Sequence, residues 1–119
     1  MRIISGTQKG RRIHPPKNLP VRPTTDRAKE SLFNILMHQY AFEGIAVLDL
    51  FAGIGTIGLE GISRGFSNVI FYENNRKVLK ILEKNCETLC SKNQYKIIKE
   101  NIILSNFSIN FKNISLIYI

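Results

Sequence analysis

The stretch Val47-Leu48-Asp49-Leu50-Phe51-Ala52-Gly53-Ile54-Gly55-Thr56-Ile57-Gly58-Leu59-Glu60 constrains the fold of this chain more than any other. A short apolar run over residues 45–50 predicts a strand buried on both faces. Two glycines then break the run. Thr56 stands as an expected N-cap, with a helix expected over residues 57–64 and Gly65 as its C′ residue. Strand, glycine turn and helix make the first unit of an open α/β sheet. In such sheets a ligand sits beyond the carboxyl end of the strand.

Gly53-Ile54-Gly55-Thr56-Ile57-Gly58 also matches G-x-G-x-x-G, and Glu73 ends the next strand candidate. A dinucleotide site is therefore one reading. In that fingerprint the first glycine comes directly off the strand, so that the pyrophosphate lands on the helix N-terminus. Here Asp49-Leu50-Phe51-Ala52 intervene, and Asp49 would set a carboxylate beside the pyrophosphate. A carboxylate repels phosphate but attracts an ammonium group. S-adenosylmethionine, with an α-amino group, a sulfonium and no phosphate, fits better. A glycine turn without a ligand is the plain alternative. At these residues the chain resembles the class I S-adenosylmethionine-dependent methyltransferases, whose first motif reads roughly D-x-F-x-G-x-G. The resemblance implies that Asp49, Phe51, Ala52, Gly53 and Gly55 border the cofactor.

At 119 residues the chain is one domain, able to bury about two-thirds of its unfolded surface. A hydrophobic content of 44% excludes a disordered chain. There is no long apolar run and no signal-peptide core, so a soluble, cytoplasmic protein without membrane contact is expected. Cys86 and Cys90 lie one turn apart on a predicted helix and cannot alone form a four-ligand zinc site. They read as reduced, half-buried thiols, and no metal is expected. Residues 1–30 carry eight Lys/Arg against two acids, a net of +6, whereas the other 89 carry nine against seven, a net of +2. That asymmetry points to a polyanion docking on the N-terminal side, against the plain reading of a solvated basic surface.

Arg2-Ile3-Ile4-Ser5-Gly6 and Gly10-Arg11-Arg12-Ile13 flank Thr7-Gln8-Lys9 and read as a β-hairpin. Its alternation is too weak for an independent core, so it must lean on the main domain. Arg2, Lys9, Arg11, Arg12 and Lys17 are the candidate RNA-binding residues, suited to phosphate contact. His14, beside two prolines, reads as a turn residue. Residues 15–23 form an extended linker held out of helix by four prolines. A helix follows, capped by Thr24 or Thr25, with Asp26 at the positive end of its dipole. Ala28, Leu32, Ile35 and Leu36 make its apolar stripe, widened by Phe33, and it fades near Tyr40. His38 falls on the polar face.

Arg22-Pro23-Thr24-Thr25-Asp26-Arg27, then Glu30-Ser31-Leu32-Phe33-Asn34-Ile35-Leu36, is similar to the signature of one class I branch. That branch is the small-subunit (16S) ribosomal RNA guanine-N2 methyltransferases of the RsmD type. The opening Arg2-Ile3-Ile4-Ser5-Gly6 and the string Gly58-Leu59-Glu60…Ser63-Arg64-Gly65 fit the same branch, and the likeness runs nearly the whole chain in register. It implies that Arg22, Thr24, Thr25 and Arg27 lie over the methionine end of the cofactor, with Arg27 pairing its carboxylate. Capping and surface roles are the bland alternative for each.

Residues 68–73 read as the second strand, ending in Glu73, whose carboxylate suits the two ribose hydroxyls of an adenosine. Relatives often carry a second acid where this chain has Asn74. Asn74 or Asn75 caps a helix to about Cys90, with the stripe Val78, Leu82, Cys86 and Leu89. Residues 95–99 are the third strand. The resemblance places Asn101 against the adenine amino group, although an asparagine there is also a common turn residue. Residues 102–112 form a weak helix or loop, and residues 114–119 a fourth strand, with Ser115 where relatives usually have an acid.

The expected fold is α/β: the front half of a class I methyltransferase (Rossmann-like) three-layer sandwich. Its parallel strands run 3-2-1-4, preceded by a basic β-hairpin and a helix. Residues 1–21 are the hairpin and linker, and 22–119 a partial S-adenosylmethionine-binding domain. The family's reaction uses D/N-P-P-Y/F after the fourth strand. All four prolines here precede residue 24, so the chain looks truncated just before that motif and no catalytic residue is named. These residues alone are expected to transfer no methyl group. The expected partner is small-subunit ribosomal RNA or an assembling small subunit. A monomer is expected, with the fourth strand an edge that invites self-association. Two other readings stand beside this one: a non-catalytic RNA-binding remnant and a dinucleotide-dependent oxidoreductase.

Overall fold

The structure, a computed structural model, describes residues 1–16, 24–100 and 115–118. The apolar run forms β1 (Ala46–Asp49), with Val47 and Leu48 fully buried. β2 (Asn68–Tyr72), β3 (Tyr95–Ile98) and β4 (Leu116–Tyr118) complete one parallel sheet in the order β3-β2-β1-β4, as expected. Asp49, the last residue of β1, stands opposite Phe71 on one side and Tyr118 on the other.

Helix α1 (Asp26–Gln39) precedes the sheet, α2 (Thr56–Arg64) joins β1 to β2, and α3 (Arg76–Leu89) joins β2 to β3. α2 is buried at every position from Thr56 to Ser63. It can lie flush on β2 because Gly58 has no side chain; a Cβ there would come 2.3 Å from the Phe71 ring. α3 follows its expected stripe, burying Val78, Leu82, Cys86 and Leu89, and Asn75 caps it by accepting from the Lys77 and Val78 N–H groups. Cys86 is fully rather than half buried, and burial pushes its thiol far above the usual range. Cys90 is raised to about 11, again by burial, so neither is a reactive thiolate.

α1 departs from its expected stripe. Thr25 caps it as anticipated, accepting from the Ala28 N–H at 3.1 Å. Phe33 is buried and Leu32 and Leu36 are half-buried, but Ala28 is exposed and Ile35 is 59% exposed. The inward position one turn before Phe33 belongs to Lys29, which is 1% exposed. Two contacts turn the helix this way. Phe33 packs against Phe42 and Phe66, and Lys29 reaches the Glu60 carboxylate of α2 at 3.2 Å.

Glu60 is the buried hub of the N-terminal half. Its carboxylate accepts from the Ile4 and Ser5 N–H groups of the hairpin and from Arg64 Nε at 2.8 Å, and forms an ion pair with Lys29. Lys29 Nζ also donates to the Arg2 carbonyl at 2.7 Å. Burial alone would raise the Glu60 carboxyl. The Ile4 N–H, Arg64, Lys29 and the Ser5 N–H together outweigh burial and hold it below its usual range.

The hairpin forms as read, with Arg2 bridging antiparallel to Arg12, and it does lean on the domain. Ile3 and Ile13 sit in the same core as Leu59 and Phe66. Ser63 Oγ donates to the Ser5 carbonyl, and the Thr7 N–H donates to the Ser63 carbonyl at 2.8 Å. Gly6, at φ 92°, passes so close that a Cβ would lie 1.9 Å from that carbonyl oxygen.

Candidate functional site

The carboxyl ends of the central strands are laced to the glycine loop by the backbone. The Leu50 N–H donates to Tyr118 and the Ala52 N–H to Tyr72. The Gly55 N–H closes back on Ala52 at 2.9 Å. Gly53 and Gly55 take φ values of 57° and 91°, a region that glycine enters without strain. The turn therefore ends at Gly55, which is the N-cap of α2 in place of the expected Thr56. Thr56 is instead the first residue of the helix and is buried. A Cβ on Gly55 would also meet the Leu82 Cδ1 methyl at 2.7 Å, a lesser obstacle than the backbone conformation because that methyl can shift.

Five of the predicted residues are assembled around this turn, with Glu73 beside them. Asp49 is 2% exposed, Phe51 is 57% exposed, and Ala52 is buried beneath the loop. Asp49 carries the strongest signal. Burial pushes its carboxyl from 3.8 up to about 7; the Phe51 N–H draws it back, and the charge of Glu73 adds to the rise. Its Oδ1 is buried with no hydrogen-bond partner among the described residues. A buried acceptor of that kind calls for a donor, and an ammonium group would both supply one and favour the charged form. A phosphate would do neither.

Glu73 accepts from the Gly53 N–H at 3.0 Å through Oε1, and from the Asn74 and Asn75 N–H groups through Oε2. A carboxylate has about four acceptor sites. Oε1 therefore has room for one more donor beside the Gly53 N–H. Glu73 thus ties the end of β2 to the loop.

The other predicted residues make no described bond to the loop or lie outside the described residues. Thr25 Oγ1 is engaged in capping, Thr24 is half-buried, and Arg27 is exposed in the first turn of α1. Among the described residues no hydrogen bond or ion pair joins these three to the loop. Arg22, Asn101 and Lys17 lie outside the described residues. Arg2, Lys9, Arg11 and Arg12 are exposed on the hairpin, with Arg2 3.8 Å from Asp26 and Arg11 donating to Gln8 at 2.7 Å.

Sequence reasoning assigned no role to three buried polar groups. Lys29 and Glu60 are described above. Asn85 on α3 accepts from the His14 N–H at 2.8 Å and donates to the carbonyls of His14 and Ile54. It therefore links hairpin, helix and glycine loop. One signal was available: Glu60 and Arg64 are spaced i, i+4 within an otherwise apolar helix, a pattern suited to an internal ion pair.

The family whose model matches residues 1–119 is described as Conserved hypothetical protein 95. The chain belongs to that family. Ribosomal RNA small subunit methyltransferase D of Haemophilus influenzae is 41% identical over 102 residues, covering 85% of this chain and 52% of the relative. The protein of the same name from Escherichia coli is 42% identical over 89 residues, covering 75% and 44%. The chain thus spans about half the length of the curated relatives it matches. The solved structure of yhhF from Escherichia coli superposes with a TM-score of 0.72 at 37% identity, covering 85% of this chain and 52% of that one. The RsmD-type resemblance is borne out, and the fold is the front half of a class I methyltransferase sheet.

Proposed function

We propose that this chain is the cofactor-binding portion of an S-adenosylmethionine-dependent ribosomal RNA methyltransferase. Its target, on this reading, is the exocyclic N2 of a guanine in small-subunit ribosomal RNA, and its place of action the cytoplasm. The observation that carries the cofactor is the buried Asp49 carboxyl, with an unpartnered Oδ1 beside the glycine loop.

When bound, S-adenosylmethionine supplies an electrophilic methyl group on a sulfonium. The residues of this chain bind and orient. Asp49 accepts from the amino group of the methionine moiety, and the Gly53–Gly55 turn lets the backbone come close without a side chain in the way. Glu73 accepts from a ribose hydroxyl. The exposed ring of Phe51 borders the mouth, and the family resemblance assigns Arg27, with Arg22, Thr24 and Thr25, to the cofactor's carboxylate end. Asn101 reads the adenine amino group. The acceptors that align the guanine amino group with the methyl belong to a D/N-P-P-Y/F motif that these 119 residues do not contain. Arg2, Lys9, Arg11, Arg12 and Lys17 hold the RNA backbone.

Replacing Glu73 by alanine should weaken S-adenosylhomocysteine binding by about 1–3 kcal/mol, roughly 5- to 150-fold. Calorimetry reads the change. Thermal unfolding of the same variant separates lost ligand contacts from a loosened loop, because Glu73 also holds Gly53. Unchanged affinity would remove Glu73 from the site.

A further inference from the structure

The hairpin and α3 enclose a groove of about 560 Å³ that has no part in the cofactor site. Arg12 lines one wall, and Lys77, Lys80 and Lys84 of α3 line the other, with Pro15 and Ile81 contributing apolar surface. None of the lining residues is acidic. Spaced i, i+3 and i+7, the lysines share one helix face over a strip about 10 Å long. All four cations are exposed, and none is in an ion pair among the described residues. Glu83, next to Lys84 in sequence, is instead bonded to Lys99 at 2.6 Å.

One further observation marks this as a prepared surface. The buried Asn85 clamps the backbone of His14 to α3 from both sides, which fixes Arg12 opposite the lysines.

We infer that this groove is a second RNA-binding surface, in which Lys77, Lys80 and Lys84 take up phosphates of a backbone strand continuing from the hairpin through Arg12. The inference rests on the ribosomal RNA reading above but assigns α3 a role which that reading lacks. Phosphate is the anion that fits, because the three lysines form a line of separate point charges at a spacing that suits successive backbone phosphates, and the Arg12 guanidinium can take one more.

The test is the salt dependence of binding of the 119-residue protein to a duplex fragment of small-subunit ribosomal RNA. About four hairpin contacts alone would give a log–log slope near −4, and adding the three lysines should steepen it to about −6. Lys80→Ala/Lys84→Ala should flatten the slope by about 2, and Arg2→Ala/Arg11→Ala should flatten it separately. The thermal midpoint should stay in place for the lysine variant, since its side chains are exposed. A slope moved by the arginine pair and untouched by the lysine pair would overturn the groove and leave the hairpin. A slope moved by neither, or wild-type affinity independent of salt, would overturn both. Polyglutamate competing as well as RNA at equal charge would assign the groove to acidic protein instead.

Discussion

Replacing Glu60 by alanine should lower stability by about 3–5 kcal/mol, the cost of leaving a buried charge without its partner. Small domains have a margin of only about 5–15 kcal/mol. The carboxylate holds two hairpin N–H groups, Lys29 and Arg64 at once. Without it Lys29 Nζ, at 1% exposure, keeps only the Arg2 carbonyl among its described partners. Glu60→Gln should lose most of the same stability, because shape is kept while the charge is not. Pairing it with Lys29→Met should recover part of the loss, since Lys29 then leaves with its partner while the buried Arg64 guanidinium still lacks one. Urea unfolding of the four-membered cycle measures this directly. A loss below about 1 kcal/mol for Glu60→Ala would mean that water reaches the cluster. The stabilisation also depends on pH. The Glu60 carboxyl lies below its unfolded value of 4.5, so its contribution is present above that pH and is lost as pH falls through the folded value.

Asp49 should act in the opposite sense. Its carboxyl is raised from 3.8 to about 7 in the folded protein, so the native state holds a proton that the unfolded state gives up. Stability of the free protein should therefore fall as pH rises from about 4 to about 7, by up to about 4 kcal/mol, and then level off. Asp49→Asn should abolish that decline. A ligand carrying an ammonium group favours the charged form, so S-adenosylhomocysteine should bind more tightly with rising pH until about 7. Near pH 6 its binding should release a proton, visible in calorimetry as heats that follow the ionisation enthalpy of the buffer. Stability flat across this range, together with binding that releases no proton, would show that Asp49 is ionised and solvated.

The fold was legible where apolar periodicity and glycine punctuation coincide. β1, the loop, α2 and α3 follow from runs and stripes whose local propensity and burial agree. The stripe of α1 misled because the residue that decides its rotation is a lysine. Periodicity counts apolar residues, and nothing in that count marks Lys29 as internal until Glu60, 31 residues away, is brought beside it. Asn85 was hidden for the same reason, since its partners come from His14 and Ile54. The N-cap of α2 shifted by one residue because turn geometry, rather than side-chain capping, ends the loop. Asp49 stands where the sequence places it, at the carboxyl end of β1 beside the glycine loop. Its state, buried and short of a donor, depends on the strands beside it and could not be read from spacing.

The most direct measurement is calorimetric titration of the 119-residue protein at pH 8 with S-adenosylhomocysteine and, in parallel, with NAD. Saturable binding of S-adenosylhomocysteine, weakened in Asp49→Asn, with no heat from the dinucleotide, is the expected result. Binding of NAD with no response to S-adenosylhomocysteine would contradict a methyl-donor site at these strand ends and return the glycine loop to a pyrophosphate.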